Sequence, residues 1–220
     1  MWKDFLSLFL RDNCPLCQRP CDGTLCGDCD RTLLTYAFRD PFVYWREELP
    51  LFVWGRYEGK LKQAIARLKY DSQPAIGTHL GVAMGRAWNQ SHPLPKLALC
   101  ALIPVPLHPH RLAARGYNQA QLLGAGFSEV TGIPILPAGL VRQRDTVALY
   151  GLNLVQRQTA MKEVFEPGKD LKRLSRDVSI LLVDDIYTTG TTVKEAATVL
   201  KNAGFKLSGV VALSTGKRSN

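Results

Sequence analysis

A chain of 220 residues with 46 % hydrophobic and 21 % charged residues is long enough for one well-buried α/β domain with a small appendage, and too apolar for a disordered protein. The 28 Lys and Arg against 19 Asp and Glu leave a formal net charge of +9. This favours an anionic partner (a phosphorylated small molecule, a nucleic acid or an acidic protein surface), the alternative being a basic solvated surface. The longest apolar run, around Leu97 to Leu107, carries Pro104 and Pro106 and is too short to cross a bilayer, so no membrane insertion is expected.

The N-terminal "MWKDFLSLFLRDNC" is predicted to be a short amphipathic helix. Asp4 interrupts its apolar core, and no small-residue cleavage site follows, so it does not read as a secretion signal. The expected location is cytoplasmic, where thiols stay reduced. Five cysteines follow in "CPLCQRPCDGTLCGDC". Cys14 with Cys17 and Cys26 with Cys29 are two C-x-x-C pairs, the spacing that turns two thiolates per pair toward one tetrahedral Zn²⁺. Cys21 lies between them as either a bystander or a substitute ligand. A thioredoxin-type redox centre would need one pair opening a helix beside a βαβ unit, which this crowding does not offer. Cys100, in "LALCALIPV", reads as a small buried hydrophobe.

Next, "FVYW" and "LFVW" are predicted to be short strands split by Pro50. The boundary is placed there: residues 1–50 form a zinc-knuckle module and residues 51–220 the main domain. Aromatic rings among arginines suit nucleobase stacking, but packing of the knuckle onto the main domain explains them better. "KLKQAIARLKY" and "GTHLGVAMGRAWNQ" are predicted to be helices with apolar stripes Leu61/Ile65/Leu68 and Leu80/Met84/Trp88. "LALCALIPVPL" is a buried strand. "LHPHRLAARGYNQ" is predicted to be a loop leading to a helix striped by Ala120, Leu123 and Phe127 and stopped at Gly132. Residues 166–177 read as an exposed basic connector. "SILLV", a helix striped by Val193, Ala197, Leu200 and Ala203, and the strand "SGVVALSTG" complete an alternating pattern. That pattern implies a mostly parallel sheet covered on both faces.

Ligands of such sheets bind beyond the carboxyl ends of the strands, where Asp184 and Asp185 follow "SILLV". Behind them, Thr188, Thr189, Gly190, Thr191 and Thr192 open the next helix, and hydroxyls with first-turn N–H groups form an anion pocket. Two carboxylates would repel a phosphate unless they contact another part of its molecule. Vicinal ribose hydroxyls donating to Asp184 and Asp185, with the 5′-phosphate in the threonine loop, meet that condition. A Walker A loop is absent from the sequence, "GAG" at 124–126 lacks the third glycine of a dinucleotide fingerprint, and a phosphorelay receiver would not follow its aspartates with this loop.

"ILLVDDIYTTGTT" resembles the PRPP-binding signature of type I phosphoribosyltransferases. With the cysteine knuckle and "IPVPLHPHRLAARGYNQA", nearly the whole chain is similar to the ComF/GntX family of competence and DNA-utilisation proteins. The resemblance implies a type I phosphoribosyltransferase-like α/β fold, a mostly parallel sheet with a small N-terminal four-cysteine zinc module. It also implies PRPP or a related phosphoribosyl ligand with Mg²⁺, and a role in DNA uptake or utilisation. It puts the ribose on Asp184 and Asp185 and the 5′-phosphate on Thr188 to Thr192. Arg111 and Arg115 are candidates for the pyrophosphate, the alternative for both being a solvated basic loop; Lys69 and Tyr70 are weaker candidates. Arg144, Thr146, Leu152, Arg157 and Phe165 keep the family pattern. Leu149 and Ala160 replace the usual glutamine and asparagine, which leaves the acceptor and efficient transfer open. No general base is nominated, since His108 and His110 read as solvated. Three functions remain: a transferase, a non-catalytic PRPP sensor or single-stranded-DNA docking module of the uptake machinery, and a direct binder of DNA ends.

Overall fold

The computed structural model describes residues 13–45, 49–91, 99–143 and 164–216. The stretch predicted to be an N-terminal helix and the positions Arg144, Thr146, Leu149, Leu152, Arg157 and Ala160 lie outside them. Four strands, β1 (Leu51–Arg56), β2 (Cys100–Pro104), β5 (Ser179–Tyr187) and β6 (Leu207–Thr215), form one sheet in the order β1-β6-β5-β2. Every pairing in it is parallel, as continuous apolar strands separated by helices require. Ile135 extends the sheet past β2 through a bridge to Leu102.

Period-2 alternation divides the strand side chains between two cores. Phe52, Trp54, Leu102, Leu181, Val183, Val211 and Leu213 face one side. There they meet α2 (Gly59–Tyr70), α3 (Pro74–Ser91) and α5 (Gln119–Thr131) through Leu61, Ile65, Leu68, Leu80, Met84, Trp88, Leu123 and Phe127. Leu51, Val53, Ala101, Ile103, Ile180, Leu182, Val210 and Ala212 face the other side. They meet Val193, Ala196 and Leu200 of α7 (Thr191–Asn202). Each buried Leu or Ile contributes about 2 kcal/mol relative to exposure. The knuckle shares the first core, since Cys14, Leu16, Cys29 and Leu33 belong to it. Its own helix α1 (Gly27–Leu34) is tied to α3 where His79 Nε2 meets Asp30 Oδ1 at 2.7 Å.

Three local expectations differ from what forms. "FVYW" is a turn rather than a strand: Trp45 N donates to Phe42 O at 2.8 Å. The Phe42 ring centroid lies 5.2 Å from Phe52 and 5.1 Å from Trp88, so aromatic packing overrides β-propensity here. The expected loop after β2 contains the short helix α4 (Pro109–Arg115). His108 Nδ1 caps it by accepting from His110 N at 3.3 Å, and Gly116 ends it at φ 81°. Residues 166–177 are more than a connector. Strands β3 (Leu140–Arg142) and β4 (Phe165–Pro167) pair antiparallel, and a helical turn α6 (Lys169–Lys172) buries Leu171. Asp170 Oδ2 accepts from Ala138 N at 2.8 Å and pins that turn to the body. Among the described residues no helix is long and apolar enough to cross a membrane.

Candidate functional site

The carboxyl end of β5 opens into a cavity of about 430 Å³. Asp184 and Asp185 form its floor, Thr188 and Thr192 one wall, and Lys69, Arg111 and Arg142 reach it from three other elements. Asp185 is 5 % exposed, and Lys69 Nζ stands 2.7 Å from its Oδ2. The contact is an ion pair without hydrogen-bond alignment, so that oxygen keeps unused accepting capacity. Asp184 Oδ1 accepts from Asp185 N at 2.8 Å. Burial first, and then the neighbouring Asp185 charge, push the Asp184 carboxyl up to about 8. The Lys69 ammonium against Asp185 offsets part of the repulsion that the two acids would exert on a nearby phosphate.

The threonine loop is shaped by Gly190, the N-cap of α7, held at φ 75°. Its carbonyl accepts from Lys194 N at 2.8 Å, which leaves the preceding first-turn N–H groups outside the helical ladder, ready for an anion. Thr189 and Thr191 hydroxyls pair at 2.9 Å; Thr188 and Thr192 are the loop threonines on the cavity wall. Tyr187 O accepts from the buried Thr215 hydroxyl at 2.8 Å, which anchors the loop's origin to β6.

Of the two arginines nominated from sequence, Arg111 lines the cavity. Arg115 does not: its Nε donates to Lys69 O at 2.9 Å and another of its nitrogens donates to Gln119 Oε1. Tyr70 is 77 % exposed and also stands outside the lining. Arg142, Gln119 and Tyr57, which sequence reasoning missed, line the cavity. The Arg142 guanidinium carbon lies 5.6 Å from the Phe165 ring centroid. It also acts on Glu195 of α7, whose carboxyl burial raises and the Arg142 charge lowers. No local signal marks Arg142 in the sequence; only the β3–β4 pairing sets it opposite Phe165. His108 and His110 stack with centroids 5.2 Å apart, away from the lining.

At the other end of the chain, the Sγ atoms of Cys14, Cys17, Cys26 and Cys29 all lie within 4.8 Å of one another, and Cys17 and Cys26 approach to 3.5 Å. Four thiolates around one Zn²⁺ at about 2.3 Å stand about 3.8 Å apart, so the donor set fits that ion. Cys21 is excluded: its thiol donates to Gly23 O at 3.1 Å. The Arg19 guanidinium, donating to Cys17 Sγ at 3.5 Å, pulls that thiol down to about 6. Burial, reinforced by the other three sulfurs, pushes Cys29 up to about 12. Metal ligation requires all four sulfurs as thiolates, so metal binding here would release protons.

Residues 129–219 match the phosphoribosyl transferase domain family. Competence protein F of Haemophilus influenzae is 30 % identical over 88 % of this chain and 86 % of its own length. Competence protein ComFC of Streptococcus pneumoniae is 27 % identical over 91 % and 88 %. The DNA utilization protein YhgH of Salmonella typhi is 28 % identical over 67 % and 64 %. A relationship this extensive, 30 % identity over 88 % of this chain and 86 % of the relative, makes the chain a member of the ComF/GntX family.

Proposed function

We propose that this protein binds PRPP, or a ligand with the same ribose 5-phosphate core, and acts in DNA uptake or DNA utilisation, a reading supported by relatives named for competence and for DNA utilization. One observation carries the ligand class: the Asp184–Asp185 pair, Thr188 and Thr192 open on one cavity with Lys69, Arg111 and Arg142. Ribose hydroxyls donate to the carboxyl oxygens of Asp184 and Asp185. The 5′-phosphate sits at the start of α7 on the hydroxyls and N–H groups of Thr188 to Thr192, and the cationic side chains receive a pyrophosphate. Mg²⁺ would arrive on the ligand's phosphates rather than in a protein cage, since the deep carboxylate of Asp185 is already paired with Lys69. Bound there, it would neutralise leaving-group charge. The chain's own part is to position the anomeric carbon and stabilise charge. Residues 1–50 are a zinc-braced clip in this reading, and residues 51–220 the ligand domain.

A second reading, a PRPP sensor or single-stranded-DNA docking module without transfer, is favoured by one feature. Among the described residues lining the cavity there is no histidine to serve as a general base. Calorimetric titration of PRPP with Mg²⁺, followed by pyrophosphate release in the presence of a panel of bases, separates the two. Binding with release makes a transferase, binding without release a sensor or docking module, and no binding overturns the phosphoribosyl assignment.

A further inference from the structure

The turn Arg115–Gln119 is a clamp on the end of α2. The carbonyls in the last turn of a helix lack intrahelical partners, and here two of them are taken by side chains distant in sequence. Arg115 Nε donates to Lys69 O at 2.9 Å, and the Tyr117 hydroxyl donates to Leu68 O at 2.6 Å. The turn is fixed in its own right: Gly116 takes the left-handed conformation at φ 81°, and Asn118 Oδ1 accepts from Ala120 N at 3.0 Å to start α5. Asn118 Nδ2 donates to Val105 O at 3.1 Å, where the chain leaves β2. The Arg115 guanidinium also complements the negative end of the helix and stands 5.9 Å from the Tyr70 ring centroid.

The clamped residue is the one that reaches the acids. A lysine has a flexible four-carbon stem, and whether its ammonium rests on one buried carboxylate or wanders in solvent depends on where its backbone is held. Lys69 is 18 % exposed in its side chain and sits 2.7 Å from Asp185 Oδ2. We propose that Arg115 and Tyr117 are positioning residues for Lys69: by gripping the Lys69 and Leu68 carbonyls they hold its ammonium over Asp185. When ribose hydroxyls take that carboxylate, the same grip leaves Lys69 facing the ligand's pyrophosphate. The second half rests on the phosphoribosyl reading above; the first does not.

Two measurements on the full chain test it. In ligand-free protein, pulse acetylation of Lys69 with acetic anhydride, read by mass spectrometry, rises about five-fold in Tyr117→Phe and in Arg115→Gln, a change in the range of one lost hydrogen bond. Calorimetry with Mg²⁺ then shows both variants weakened about five-fold for PRPP yet within about two-fold of wild type for ribose 5-phosphate, which lacks the pyrophosphate. Lys69→Met loses about ten-fold or more for PRPP, and adding Tyr117→Phe to it loses nothing further. Unchanged Lys69 labelling in both variants overturns the clamp. Equal losses for the two ligands, or additive losses in the double variant, overturn the positioning role, because general loosening of the fold behaves that way. Wild-type protein that binds neither ligand overturns the phosphoribosyl reading and the pyrophosphate step with it, while the labelling still judges the grip on Lys69.

Discussion

A Cβ on Gly190 would lie 2.8 Å from Cζ of Tyr187 and would run into its hydroxyl oxygen. Gly190 also has φ 75°, so residue type here answers to two constraints at once: a left-handed backbone and the ring of a tyrosine that is 5 % exposed. The loop closes tightly because nothing stands between the start of α7 and that ring. Gly190→Ala should therefore destabilise the fold by about 1–3 kcal/mol and reduce PRPP affinity more than global stability alone explains. Urea unfolding together with calorimetry checks this, and an alanine variant with wild-type stability would show that the loop relaxes freely.

The acid pair gives a pH signature. The Asp184 carboxyl, raised from its usual 3.8 to about 8, binds a proton more tightly folded than unfolded. Between those values the native state holds more protons, so stability falls as pH rises from about 4 to about 8 and is level above. Asp184→Asn should remove this slope, and unfolding midpoints at pH 5 and pH 8 for the two proteins would show it. An identical slope in the variant would place the proton elsewhere.

Asp184→Asn with Asp185→Asn should abolish PRPP binding while the chain remains folded. The substitution removes both negative charges and replaces one acceptor oxygen of each side chain by an NH2 donor, with little change in side-chain volume. Circular dichroism guards the fold and titration reads the ligand; unchanged affinity would end the ribose assignment.

In the clip, Cys26→Ser should release the bound metal and destabilise the front of the chain, because Cys14, Leu16 and Leu33 join the main core beside it. Cys21→Ser should keep one equivalent of metal, since that thiol is turned to Gly23 O. Metal analysis of both variants by mass spectrometry is decisive, and full retention in Cys26→Ser would count against the four-thiolate set.

Helices α3 and α5 touch backbone to backbone. A Cβ at Gly126 would run into Thr78 O and stand 2.8 Å from Val82 N, and one at Gly81 would run into Leu123 O. Gly81→Val should force the helices apart and cost about 3 kcal/mol, readable as a drop in thermal midpoint, while Ala113→Val on the exposed face of α4 should leave it unchanged.

Much of this architecture was written locally. The apolar run "SILLV", the stripes of α2, α3 and α5 and the stop at Gly132 all act over a few residues, through the periods of strand and helix and through cap chemistry. The C-x-x-C spacing likewise determined which four thiols meet, because each pair is positioned by its own turn. Local signals for α4 are also present in the chain: His108 caps it, Pro109 opens it and Gly116 ends it. "FVYW" misled in the opposite direction, since its strand preference yields to the Phe52 and Trp88 rings it packs against. What only the tertiary structure decided is the electrostatics of the cavity. Lys69 belongs to α2 and Arg142 to β3, and neither adjoins the aspartates in sequence; the strand order β1-β6-β5-β2 and the β3–β4 pairing bring them to one place. Arg115 and Arg111 lie on the same short helix and look equivalent in sequence, yet one meets a helix end and the other the cavity. Propensity and spacing act along the chain, whereas charge pairing depends on which strand and helix ends converge, and that convergence is a property of the folded whole.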